Sequence, residues 1–192
     1  MKICLAEMKY LASYQQYLAE CFSYGLEKYQ LATQDPKHYL ETIIAHAQGE
    51  KLPENTPTTS SYFCLNNDKV VGTIRYRRGN SPLIERVIGH VGYDTKPSAR
   101  GQGVAKFMLS WLQSQVLTEP IIVTCEHNNI ASQKVIESCG GKFINQIYSK
   151  EKAAKVLRFQ LSAKSVMQSD EQPFVKPTVG TVSGDRRSFS EQ

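Results

Sequence analysis

A strand-like run, a loop with glycine at positions 101 and 103, and the most regular helical pattern of the chain follow one another directly, and no other feature of the 192 residues restricts the fold as much. Val104, Phe107, Met108, Trp111, Leu112 and Val116 follow the i, i+3, i+4, i+7 spacing of an amphipathic helix. A helix entered in this way turns unpaired N–H groups and the positive end of its macrodipole toward whatever occupies the turn. Gly101, Gly103 and Ala105 withdraw the side chains that would block an anion, and Arg100 can add a charge-assisted contact. A dinucleotide fingerprint would need glycine where Lys106 stands, and a P-loop would need four residues between its glycines and then Lys-Ser or Lys-Thr, so neither motif is met. The plainer alternative is a helix that simply begins with flexible residues.

The rest of the chain places this turn inside a mixed sheet. Residues 2 to 6 read as a first strand, followed by a helix with Leu11, Tyr14, Leu18, Cys21, Phe22 and Leu26 near one face. Asp35-Pro36 is a helix start, and Tyr39, Ile43, Ile44 and Ala47 form the stripe of a second helix. Pro53, Pro57 and neighbouring Ser and Thr mark a loop from Leu52 to Ser60. Strands over Tyr62–Leu65 and Val70–Arg77 flank Asn66, Asn67 and Asp68, which is hairpin chemistry, and a further strand is expected from Val87 to about Tyr93. After the central helix come a short strand at Ile121–Cys125, a helix capped by Asn128 or Asn129 and ended by Gly140-Gly141, and two final strands at Phe143–Ser149 and Lys155–Leu161. The expected class is α/β: a mixed, mostly antiparallel twisted sheet of about seven strands with helices on both faces. One domain over residues 1–163 is expected, with 164–192, rich in Ser, Gln, Pro and mutually cancelling charges, as a disordered tail.

Bulk properties narrow the partners. The net charge of +5 invites a nucleic-acid reading, but its densest run is Arg75, Arg77 and Arg78, expected as a solvated strand face rather than a groove. Cys4, Cys21, Cys64, Cys125 and Cys139 are odd in number with no C-x-x-C pair, which suggests neither a disulfide framework nor a zinc site. No segment approaches the roughly 20 apolar residues that span a bilayer, and no signal peptide is evident. A cytoplasmic protein without metal, membrane or nucleic-acid partners is expected, its oligomeric state open and a dimer among the options.

The segment Gly89-His90-Val91-Gly92-Tyr93-Asp94-Thr95-Lys96-Pro97-Ser98-Ala99-Arg100-Gly101-Gln102-Gly103-Val104-Ala105 resembles the cofactor segment of the GNAT superfamily of N-acetyltransferases, in which Arg or Gln, two residues, Gly, one residue and Gly or Ala recur. Arg100, Gly103 and Ala105 match that signature, and Asn129, Ser132 and Gly140 resemble a second segment of the family. Within the superfamily, Gly-His-Val-Gly-Tyr before the turn and Val-Thr-Cys-Glu in the later strand are similar to a group known mainly as predicted acetyltransferases. The resemblance implies a GNAT-like fold from Ile3 to Leu161 and acetyl-CoA as co-substrate. It further implies the diphosphate on the N–H groups of Gly101, Gln102, Gly103, Val104 and Ala105 beside Arg100, and the pantetheine arm along Tyr93 and Thr95. Asn129 and Ser132 would touch the arm from the neighbouring helix, and an N–H near Tyr93 would polarise the thioester carbonyl.

The implied reaction is transfer of acetyl to an amine of a small molecule or peptide by direct attack in a ternary complex. Many family members place a Tyr acid seven residues after the Asn, where this chain has Ile136, so Tyr93 and Tyr148 stand as substitutes beside the reading of each as a packed tyrosine. Glu126 is the candidate base, or alternatively a surface carboxylate at a strand end. His90 reads as a hydrogen-bonded histidine and Cys125 as a buried structural thiol. The change at Ile136 keeps a second function open, a non-catalytic acyl-CoA-binding sensor or interaction module.

Overall fold

The computed structural model describes residues 1–53 and 56–164. All of the expected tail but Lys164 lies outside the described residues, and among these no helix is long and apolar enough to cross a membrane. Seven strands form one sheet in the order β1-β2-β3-β4-β5-β7-β6. They are β1 (Lys2–Leu5), β2 (Thr59–Asn66), β3 (Lys69–Arg77), β4 (Val91–Thr95), β5 (Ile121–Glu126), β6 (Lys142–Ser149) and β7 (Ala154–Leu161). All neighbours are antiparallel except β4 and β5, which run parallel and register only at Val91 and Val123. The helices are α1 (Leu11–Ser23), α2 (Gln30–Gln34), α3 (Pro36–Ala47), α4 (Val104–Gln115) and α5 (Ile130–Ser138).

Alternation along the strands sends side chains into two cores, one on each face. Tyr62, Cys64 and Ile74 join Met108, Leu109 and Leu112 of α4, whereas Phe63 and Leu65 join Tyr17, Leu18 and Leu40 of α1 and α3. Asp35 caps α3 as its sequence suggests, accepting from the His38 N–H at 2.9 Å, with Pro36 at the first helical position. Gln113 of α4 donates to the carbonyls of Cys139 and Ser162, both at 3.0 Å, and so ties the end of α5 and the end of β7 to the central helix.

Three expectations are corrected. The helix begun at Leu11 stops at Ser23, because Gly25 adopts φ +85°, and the chain turns through Glu27–Tyr29 before α2. The strand expected from Val87 begins only at Val91, since Ile84–Ile88 forms a turn of π-helix ended by Gly89 at φ 65°. A Cβ at Gly89 would stand 2.9 Å from the Thr124 backbone nitrogen, so that turn closes directly on β5. The arginine run is not a solvated face. Arg75 is 24% exposed and paired with Asp94 at 3.1 Å, while Arg77 donates to the carbonyls of Ile88 and Gly89. Burial, then the charge of Arg75, lowers the Arg77 pKa to about 10. Only Arg78 is exposed.

Candidate active site

The parallel pair at the centre of the sheet opens into a gap. Lys96 N–H reaches the Val71 carbonyl of β3 at 2.8 Å, and Asp94 registers with Thr73. Backbone direction alternates along a strand, so Tyr93 and Thr95 turn their N–H and C=O groups to the β5 side. Beyond the single register pair at Val91 and Val123, no strand of the described residues meets them there. An unpaired strand edge of this kind accepts an extended chain that supplies a carbonyl and an N–H.

At the end of this edge stands the glycine turn. Gly101 and Gly103 have φ 74° and 77°, backbone that side-chain-bearing residues adopt at a cost of roughly 1–2 kcal/mol. Added Cβ atoms at either would meet nothing within 4 Å, so conformation rather than crowding calls for glycine, and the open space lies where an anion would approach. The first bond of α4 runs from Phe107 N–H to the Gly103 carbonyl at 2.9 Å. The N–H groups of Gly103, Val104, Ala105 and Lys106 therefore have no partner inside the helix. The Val104 side chain is 3% exposed and anchors this end in the core.

One cavity of about 590 Å³ joins the turn to the strand edge. Tyr93, Thr95, Arg100, Gly101, Gly103, Val104, Ala105, Asn129 and Ser132 line it, together with Asp94 and Lys106, which sequence reasoning passed over. Gln102 does not, and its side chain instead folds back to donate to the Ser98 carbonyl at 3.2 Å. Asn129 caps α5 by accepting from the Ser132 N–H at 3.0 Å. The Ser132 hydroxyl lies 2.7 Å from the Tyr93 phenol oxygen, and burial is the main cause raising the phenol's pKa above its ordinary value. Ile136 is fully buried in the core.

The catalytic candidates separate. Glu126 is half-buried at the end of β5, its alternation placing it with Thr124 on the face that carries the Ile84–Ile88 turn, and it does not line the cavity. Tyr148 is 64% exposed and borders a second groove with Arg86, Lys150 and Arg158. His90 is packed: the Ile122 N–H reaches Nδ1 at 3.1 Å, which leaves the Nε2 proton to be donated to Asn80 at 2.9 Å. Burial pushes the Cys125 thiol up to about 11, in keeping with a structural cysteine.

Asp94 is the acidic group that does face the cavity. Its carboxylate accepts from Lys28 at 2.6 Å, Arg75 at 3.1 Å and the Tyr29 hydroxyl at 2.9 Å. Nothing in its own segment marks it. Its partners come from a helical turn 65 residues earlier and a neighbouring strand, and only the folded sheet brings them together.

The chain matches no curated protein by sequence. Solved structures share its fold at low identity. RimJ of Mycobacterium smegmatis, solved with CoA-disulfide, aligns with TM-score 0.64 and 13% identity over 84% of this chain and 81% of its own. Microcin C7 self immunity acetyltransferase MccE, solved with acetyl-CoA and AMP, aligns with TM-score 0.64 and 13% identity over 83% and 91%. An acetyltransferase from Salmonella typhimurium that modifies the N-terminal serine of a 50S ribosomal subunit protein gives TM-score 0.61 and 13% identity over 84% and 94%. The model of the acetyltransferase (GNAT) family matches residues 29–141. That match spans more than half of the 192 residues and contains both the glycine turn and the splayed strand edge, and the chain belongs to the GNAT acetyltransferase family.

Proposed function

We propose that this protein transfers the acetyl group of acetyl-CoA to an amine of a small molecule or peptide. The observation that carries the reading is the continuity of one cavity from the free N–H groups of α4 to the unpaired edge of β4. A diphosphate fits the first end, where Gly103 to Lys106 offer amides and Arg100 and Lys106 add cationic side chains. A pantetheine arm, with its alternating amides, fits the second by pairing with Tyr93 and Thr95 as a short extra strand. The N–H at Tyr93 then polarises the thioester carbonyl and stabilises the oxyanion formed on attack.

The two faces of β4 divide the proton work. The Tyr93 phenol, on the α5 side, supplies a proton to the leaving thiolate in place of the residue absent at Ile136. On the α1 side, Asp94 holds an ammonium group near the carbonyl, and Glu126, one strand away, takes up the proton through water. Solved relatives of similar fold, RimJ and MccE, hold CoA or acetyl-CoA, which supports the cofactor assignment. The decisive assay follows release of free CoA thiol across a panel of amines. Release that depends on an amine supports transfer, whereas binding of acetyl-CoA with no release from any amine supports the non-catalytic sensor.

A further inference from the structure

The cluster around Asp94 holds more than an acceptor site for outside amines requires. Its carboxylate, 10% exposed, already binds one half-buried guanidinium, Arg75, which would suffice to balance its charge. It binds a second cation as well, the Lys28 ammonium, at 2.6 Å. That ammonium lies 5.3 Å from the centroid of the Tyr29 ring, within reach of a cation–π attraction. A carboxylate beside an aromatic face is recognition chemistry for an alkylammonium. The turn Glu27–Tyr29 sets Lys28 beside Asp94 two residues after Leu26, and Leu26 and Asp94, though not Lys28, line the cavity. The Lys28 side chain is 48% exposed, and burial of the rest, only partly offset by Asp94, lowers its pKa.

We propose that Lys28 is an intramolecular acyl acceptor, so that the chain, once loaded with acetyl-CoA, acetylates its own Lys28. This rests on the cofactor reading above. The Lys28 ammonium gives a proton through Asp94 to solvent, and the freed lone pair of Nζ forms a bond to the acetyl carbonyl carbon. The carbon–sulfur bond breaks and its electron pair leaves on sulfur; the Tyr93 phenol protonates the thiolate, and the second proton lost from nitrogen returns to the phenolate through water. The products are acetylated lysine, free CoA and one proton in solvent, with no change of oxidation state. Loss of the lysine charge leaves Asp94 with Arg75 alone and opens its second position to an outside ammonium.

The test uses the full-length chain with acetyl-CoA and no added amine, read by peptide mass spectrometry, with thermal melting in parallel. One acetyl group on Lys28 is expected, formed at a rate per chain that does not change on dilution, while Lys37, 68% exposed, stays unlabelled over the same time. Lys28→Arg retains a cation for Asp94 and is expected to keep the melting shift and lose the label completely. A melting shift with no label at Lys28, equal labelling of Lys37, or a rate that rises with protein concentration overturns the proposal while leaving the cofactor reading intact. Absence of any melting shift removes the cofactor reading and the proposal together.

Discussion

The phenol of Tyr93 and the hydroxyl of Ser132 meet at 2.7 Å, joining the free edge of β4 to the first turn of α5. This bond lies at the gap proposed for the pantetheine arm and holds the phenol there. Tyr93→Phe removes the proposed proton source and the tie while leaving the ring. A fall in kcat of about 10²-fold is expected, with stability lower by only about 1 kcal/mol. Steady-state kinetics and urea unfolding separate the two effects, and an unchanged kcat would remove Tyr93 from the chemistry.

Gly103 opens the run of free amides with φ 77° and open space at its Cβ position. Gly103→Ala should cost about 1–2 kcal/mol of stability from the left-handed backbone. Gly103→Trp should lose the same stability and also fill the approach to the amides, so acetyl-CoA should no longer raise its melting temperature. A shift equal to that of the wild type would place the diphosphate elsewhere.

Among the described residues Asp94 is the one carboxylate paired with Lys28 and Arg75, and its side chain is 10% exposed. In Asp94→Asn these two cations remain close together without a countercharge. Removing one partner of a buried pair costs roughly 3–5 kcal/mol, and since Lys28 is 48% exposed the lower end of that range is expected here. Equilibrium unfolding in urea measures it, and a loss under about 1 kcal/mol would mean that water already screens the cluster.

Glu20 of α1 braces the loop before the glycine turn, accepting from the Ser98 N–H at 2.6 Å and pairing with Lys96 at 3.1 Å. Burial, the largest influence, works to raise its pKa, but the bonds from Ser98 and Lys96 outweigh it and hold the carboxyl below its ordinary 4.5. A depressed folded pKa gives stability that is present above 4.5 and lost as pH falls through the folded value. Melting curves of the wild type and Glu20→Gln should therefore differ at neutral pH and converge in acid. A difference that stays constant with pH would contradict the ion-pair account.

Much of the fold was legible because local chemistry and the final structure agree. The Asp35-Pro36 start, the stripe from Val104 to Leu112 and the Asn129 cap each act within a few residues. The delayed start of β4 was not legible, since Val87 and Ile88 are good strand residues in isolation and only closure of Gly89 on β5 makes the π-helical turn fit. Arg75 and Arg77 misled for a related reason: alternation tells which face they share but not that Asp94 and two backbone carbonyls wait there. In the site, the glycine turn could be read because its spacing is local. Asp94, Lys28 and Tyr29 could not, because the grouping spans residues 28 to 94 and depends on the register of β3 with β4.

One cavity is proposed to bind the diphosphate at the start of α4 and the arm along β4. The most direct measurement is thermal unfolding of the purified chain with acetyl-CoA, CoA, or pantetheine lacking the phosphates. Both nucleotide forms should stabilise the fold, by about 2.7 kcal/mol at a hundred times their Kd, and pantetheine should do far less. No shift with millimolar acetyl-CoA, or equal shifts with and without the diphosphate, would contradict the account.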